Sequence, residues 1–489
     1  MKKITYRSLL MGLMALLIAN SCTNDFDEIN SNPNSPTLVK AQYLLTTALE
    51  ASVDRYWGSR TRFERINIDA AELYIQHLTR NILSNEGDNY LVSVSLTNNN
   101  WKGFYNDAQV NYQRIYDLSK ADGTTPNTNY AGVALTMRSW VFMLLTDMYG
   151  PIPYSEAIKG TAEEPIYSPK YDDMEAIYAG LLNDLKMANE LLTPSGPAIA
   201  GDILYNGDIL KWKKFTNSLR LRIANRQAAK KPTESRAIFK EILDNPTTFP
   251  IFESNADNTQ LNCSAVLPSN NEWNQVMIQD SRTDWNISKT FADKLNDMED
   301  ERITVFANPN SEGVYQGHAN GLPDAIATNY LATSSTVGDY FTAATAPEVI
   351  MTYSELLFIL AEAALDGDID GDAEAYFQDA VAASFDQYGL TPSAAFLANL
   401  GPVSKENIME QKWVSLFGQG IEAWTEWRRT GYPVFPPADS RAVFNNDGIR
   451  PTRFTYSTNE YSLNKINLEA GIQLLGGSDD MKTKLWWAE

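Results

Sequence analysis

Apolar residues recur every three or four positions along most of this chain, the pattern of helices with one buried face. The clearest stretch is 172–192, DDMEAIYAGLLNDLKMANELL. Met174, Ile177, Tyr178, Leu181, Leu182, Leu185, Ala188, Leu191 and Leu192 fall on one side; Asp172, Asp173, Glu175, Asp184, Lys186 and Glu190 fall mostly on the other. Acidic residues open the stretch and Thr193-Pro194-Ser195-Gly196-Pro197 closes it, as the helix dipole and helix-breaking residues require. Comparable patterns predict helices over 38–56, 66–83, 100–119, 130–148, 208–229, 234–243, 347–365, 371–385 and 404–429, whereas strand signals are few and short.

Helices of this length suggest stacked hairpins. In the pair 347–365 and 371–385, small residues at 361, 363, 364, 373, 375, 380, 382 and 383 alternate with bulky Tyr353, Phe358, Tyr376 and Phe377. Small against large lets helices approach closely, as in tetratricopeptide packing, although the full repeat consensus is absent. Residues 244–346 differ: turns, scattered aromatics and many Asn, Asp, Ser and Gly predict an irregular insert, and 431–489 also reads as loop. Irregular regions of that size are usually functional when ordered.

The N-terminus sets the compartment. Lys2, Lys3 and Arg7 precede an apolar run from Leu9 to Ala19, too short for the ~20 residues that span a bilayer and suited to a cleaved export signal over 1–21. Ala19-Asn20-Ser21 then lead directly into Cys22, which resembles the lipobox of bacterial lipoproteins, where the cysteine is acylated and becomes the new N-terminus. Residues 22–37, rich in Asn, Ser and Pro with Asp25, Asp27 and Glu28 around Phe26, read as a lipidated flexible tether. Acidic residues at that place are similar to the surface-export signals of Bacteroidetes lipoproteins.

Composition narrows the function classes. Hydrophobic residues at 44% and aromatics at 11% supply a large core. A net charge of −21 repels nucleic acid and disfavours acidic polysaccharides unless a local basic pocket intervenes. Of the two cysteines, acylation of Cys22 leaves Cys263 unpaired, so the exported protein would hold no internal disulfide. The two histidines, His77 and His318, have no partners visible in sequence and cannot supply a zinc site unaided. There is no phosphate loop, nucleophile elbow or CxxC. With 61 acidic residues a carboxylate pair of the glycosidase kind is certain to occur by chance and carries no information.

Five stretches in order make the chain recognisable. They are the Cys22-Thr-Asn-Asp-Phe-Asp-Glu-Ile-Asn start, DMYGPIPYSEAI from Asp147, KWKKFTNSLRLRIANR from Lys211, MTYSELLFILAEAAL from Met351 and QKWVSLFGQGIEAWTEWRRTGYP from Gln411. Together they resemble the SusD/RagB family of outer-membrane lipoproteins. The resemblance implies a mostly α-helical SusD-like fold over 38–489, with four tetratricopeptide-like hairpins supporting a loop-rich ligand-binding part. It implies a lipid-anchored, non-enzymatic protein on the cell surface that captures glycans, or in some members peptides. Such a protein acts as a lid on a SusC-like TonB-dependent transporter and requires no cofactor. An oligopeptide-binding lid, a structural assembly subunit and a surface hydrolase remain the alternatives.

The motifs also have physical readings. Gly150, Pro151 and Pro153 end a helix. Gln411–Arg429 reads as one long helix, with Arg428 and Arg429 in its last turn and Trp424 and Trp427 sharing a face, as core or as a sugar platform. Asp366, Asp368, Asp370, Gly371, Asp372 and Glu374 are spaced as at the start of a calcium loop. The twelfth position is Phe377 rather than Glu, and an acidic turn between helices needs no metal.

Sugar rings stack their C–H faces on aromatic side chains while polar groups read the hydroxyls. Candidates outside strong helices are Trp57, Tyr90, Trp273, Trp285, Tyr315 and Tyr340, with Asn89, Asn270, Asn271, Arg282 and Asp284 as polar neighbours. Each could equally be loop packing. Trp101 is set aside because Tyr105 and Tyr112 continue it as a packed helical face.

Overall fold

The computed structural model describes residues 39–59, 61–160 and 164–488. The export signal, Cys22 and the whole tether lie outside the described residues. Helices form largely where the apolar period places them: α1 (Ala41–Trp57), α2 (Val94–Gly103), α3 (Val110–Ser119), α4 (Thr128–Tyr149), α5 (Met174–Leu191), α6 (Ile209–Arg226) and α7 (Pro232–Leu243). They continue with α8 (Lys289–Asp297), α9 (Tyr353–Leu365), α10 (Ala373–Asp386), α11 (Ala394–Leu400), α12 (Lys405–Ser415), α13 (Gly420–Thr430) and α14 (Lys465–Leu474). Asn127, Asp173, Asp208, Thr352 and Ser404 precede helices and accept their first free N–H groups.

Neighbouring helices pack in succession: α3 on α4, α4 on α5, α5 on α6, α6 on α7 and α9, α9 on α10 and α12, and α12 on α13, which returns to α4. The small-against-large expectation for α9 and α10 holds. Ala361, Ala363 and Ala380 are buried beside Phe358 and Phe377, and the Ser354 hydroxyl donates to the Ala380 carbonyl at 2.8 Å. Three antiparallel strand pairs join distant segments: β1 (Leu78–Arg80) with β5 (Trp285–Ile287), β2 (Ile152–Pro153) with β3 (Tyr171–Asp172), and β4 (Thr259–Leu261) with β6 (Glu348–Met351). Among the described residues no helix is long and apolar enough to cross a membrane.

Three predicted helices differ from the structure. Residues 66–83 give only a π turn, Asn67–Ala71, and one further turn before Gln76 and Leu83 take positive φ and the chain between them becomes β1. Residues 348–351 pair as β6 before α9 begins. The long helix 404–429 is broken, because Gly418 (φ +89°) and Gly420 press against α1 and the π turn. A side chain at Gly418 would start 2.6 Å from the Trp57 ring, and one at Gly420 2.8 Å from Asn67 Oδ1. Asn67 splices the break, donating to the Gly418 carbonyl at 2.9 Å and accepting from the Ile421 N–H at 3.2 Å. The insert 244–346 is irregular as expected, but carries β4, β5 and α8.

One buried ionic network holds the helices together. Arg222 on α6 donates to Glu355 on α9 at 2.7 Å, and Arg226 sits between Asp147 at the end of α4 and Glu422 on α13. Arg429 on α13 reaches Glu362 and Glu426 at 2.7 Å each, and Lys412 on α12 meets Glu426 at 2.8 Å. Burial alone would raise Glu362; Arg429 reverses this and holds it at about 2. Arg428 donates to the Asp147 carbonyl at 2.6 Å, so a cation at the end of α13 meets a helix-terminal carbonyl of α4.

A second buried group behaves oppositely. Burial, with Glu272 and Glu50 nearby, pushes Asp54 up to about 8, and burial beside Asp54 pushes Glu348 well above its usual range. A carboxyl whose pKa is raised by folding stabilises the fold while protonated; that stabilisation is lost as pH rises from about 4 through about 8. Glu362 works at the other end, its contribution being lost as pH falls from about 4.5 toward about 2. The melting temperature, followed by calorimetry, is therefore expected to fall by several degrees between pH 5 and pH 9. The Asp54→Asn variant should show a flatter slope, and an unchanged slope would place the sensitivity elsewhere.

Candidate ligand-binding site

Most of the aromatic and polar candidates named from sequence are used by the fold itself. Trp57, Trp273 and Trp285 are 1%, 0% and 3% exposed. Trp57 Nε1 donates to the Val349 carbonyl at 2.9 Å, and Trp273 Nε1 to the Trp57 carbonyl at 3.0 Å. Both rings are locked in the core, and Trp285 lies under Arg80. Neither face of such a ring is open to a sugar. Asn270 and Asn271 are buried and bonded to Asn274 and to the Ala346 carbonyl. Asp284 binds Arg80 at 2.8 Å and Arg282 through both arms of its guanidinium, so these readers are already paired. Tyr315 is half-buried, and Tyr340 is exposed with edge-on contacts to Phe341 and Tyr388.

Tyr90 and Asn89 come out differently. Tyr90 takes positive φ and turns its ring onto Phe444, with centroids 4.5 Å apart and planes 20° apart. Asn89 ties this wall to the C-terminal loop, its carbonyl accepting from the Asn445 backbone N–H at 2.8 Å and side chain at 3.1 Å. Tyr90 and Phe444 form one side of a groove of about 450 Å³ whose floor is the end of α13 and the loop after it. Trp427 and Phe435 line it, and Gln76, Pro436, Ala438 and Phe444 continue into a second depression of about 210 Å³. Trp424, which shares a helical face with Trp427, is fully buried and donates to the Pro451 carbonyl at 2.8 Å. The helical tryptophan pair thus divides its roles, one ring in the core and the other half-buried at the groove.

Arg450 completes the groove. Its guanidinium lies 3.8 Å from the Phe435 ring centre and 4.9 Å from that of Trp427. Burial among these rings lowers its pKa from the usual arginine range, with Tyr90 opposing the shift. Its Nη1 is closed from solvent and has no hydrogen-bond partner. The sequence offered one signal for this site: a loop rich in aromatics and proline directly after the helix that carries Trp427. Position 450 itself carried none, because it joins Trp427 only through the return of the loop.

Two other concavities are less suited to sugar. One of about 240 Å³ is bounded by Arg62 and Glu86, which pair with each other. One of about 350 Å³ lies beside Trp101 and Tyr105, but Glu460 there accepts from Tyr171 at 2.9 Å and Trp101 is 6% exposed, packed on Tyr149.

The calcium-like loop does not assemble a cation site. Asp366 pairs with Lys405, Asp368 with Arg236, Asp372 caps α10, and Glu374 accepts from Gln378 and the Val403 N–H. These partners engage four of the five carboxylates separately. Among the described residues no group of three His, Cys, Asp or Glu is placed to hold a metal ion. His77 is buried between Glu72 and the Trp413 carbonyl, and His318, held down near about 4 by burial, bonds Ser334 at 3.0 Å. Burial, with Glu348 and Asp54 nearby, raises the Cys263 thiol above its usual range, which disfavours the nucleophilic thiolate.

Residues 33–457 match the family described as "Starch-binding associating with outer membrane". The chain belongs to the SusD-like family. That membership makes it an outer-membrane-associated binding protein rather than an enzyme. No curated protein matches this SusD-like chain in sequence. Among solved structures, a chitin-binding protein is 30% identical, with a TM-score of 0.80 over 92% of this chain and 100% of its own. A chitin-binding SusD homologue from Flavobacterium johnsoniae is 21% identical, with a TM-score of 0.79 over 91% of this chain and 98% of its own. A SusD homologue from Bacteroides fragilis is 24% identical, with a TM-score of 0.75 over 92% and 100%. The last two show the fold alone.

Proposed function

We propose that this SusD-like protein captures oligosaccharides at the cell surface and hands them to a SusC-like TonB-dependent transporter, tethered to the outer membrane by acylated Cys22. The observation that carries the reading is the groove of Trp427, Phe435 and Phe444, with polar groups at its rim. Rings of this kind stack on sugar C–H faces at low entropic cost. The chitin-binding relative at 30% identity supports glycan over peptide. No covalent step is needed: capture, release and movement of the lid suffice.

Calorimetric titration of the purified protein with chito-oligosaccharides, other neutral and acidic glycans and mixed oligopeptides tests this. Saturable heat with one glycan class, accompanied by a change in tryptophan fluorescence, is expected. Binding of peptides alone would overturn the glycan reading.

A further inference from the structure

We propose, on the reading of this groove as the glycan site, that its ligand is an acidic oligosaccharide containing hexuronic acid, with a carboxylate held edge-on by Arg450. The argument begins from how this acidic chain places its cations. Arg80, Arg222, Arg226, Arg302 and Arg453 are buried, Arg429 is partly buried, and each meets a carboxylate. Arg428 is satisfied by the carbonyls of Asp147, Thr452 and Trp424. Arg450 alone lines the groove as a cation that meets no carboxylate among the described residues, and its Nη1 has no partner. The other charges of the two depressions are matched locally: Lys289 by Asp293, and Asp439 by Arg441. The groove therefore carries one uncompensated positive charge inside a protein of net charge −21.

The stacking geometry says how that charge would be used. Phe435 lies 3.8 Å beneath the guanidinium and Trp427 4.9 Å away, so aromatic rings cover the face of the group. A stacked guanidinium donates from its N–H edge to in-plane acceptors, and a carboxylate matches that fork by accepting two parallel hydrogen bonds. A hexuronate offers both features, a carboxylate on the ring edge and C–H groups on its face for the remaining aromatics. Phe444 and Tyr90, stacked on each other at 4.5 Å, border the path of the next sugar.

Calorimetry on the full chain compares three acidic oligosaccharides (oligogalacturonate, oligomannuronate and hyaluronan fragments) with the same compounds after reduction of their carboxyls. At least one acidic form is expected to bind about ten- to a hundredfold more tightly than its reduced form, as for a hydrogen bond to a charged group. Added salt should narrow the gap. Arg450→Gln should bring the ratio of acidic to reduced affinity close to one, whatever it does to the affinity for the reduced sugar; Arg450→Lys, which keeps charge without the fork, should recover part of that ratio. If no acidic form exceeds its reduced form in the wild-type protein, the proposal fails whatever the variants do. Tighter binding of acidic peptides than of any uronate also overturns it. Failure of the groove itself reads differently: Trp427→Ala would then leave all glycan binding unchanged.

Discussion

Arg226→Ala is expected to lower the unfolding free energy by about 3–5 kcal/mol, the usual result of removing one partner from a buried ionic cluster. Arg226 is fully buried between Asp147 and Glu422. Without it, Asp147 keeps only the neutral donors Tyr178 and Trp487 for its carboxylate, and Glu422 keeps Arg222 at 3.8 Å. Two carboxylates would then sit in a dry interior with too little positive charge, and an ordinary protein has only about 5–15 kcal/mol to lose. The triple change Arg226→Met, Asp147→Asn, Glu422→Gln removes the charges together and should recover much of the loss. Urea unfolding followed by circular dichroism separates the cases. A single variant within about 1 kcal/mol of wild type would mean that water or another cation takes the place of Arg226.

Trp427→Ala is expected to weaken glycan binding by at least about thirtyfold while leaving the melting temperature nearly unchanged, since a groove aromatic behaves as a binding hot spot of about 2 kcal/mol or more. Trp273→Ala should do the reverse. That side chain is fully buried, and its truncation should cost about 3–5 kcal/mol of stability with the folded fraction binding normally. Fluorescence titration and thermal unfolding of both variants check the pair. Loss of binding in folded Trp273→Ala with none in Trp427→Ala would move the site to the irregular insert.

That contrast explains what the sequence disclosed. Helical periodicity located α4 to α7 and α9 to α10 because their apolar faces are local patterns. The family-like stretches around Asp147, Arg226, Glu355, Glu362 and Glu422 signalled the family well, and the reason is now physical: they converge on one buried network. They fix the fold and say little about ligand. Loop tryptophans misled because irregular backbone needs large side chains to fill its interior. Trp273 and Trp285 serve that purpose, and Trp57 does so at the end of α1. The groove joins Gln76, Tyr90, Trp427 and the loop from Pro433 to Arg450, segments with no local pattern in common. Tyr90 and Asn89 were legible as candidates; Arg450 was legible only once the loop was seen to return. The break at Gly418 was hidden for the same reason, since the ring that requires it belongs to α1.

The most direct test of the binding site is a crystal structure of the protein with the oligosaccharide that gives the largest calorimetric heat. Sugar density against Trp427 and Phe435, within hydrogen-bond reach of Arg450, is the expected result. Ordered sugar in the depression beside Trp101 and Tyr105 instead, with the Trp427 groove empty, would contradict it.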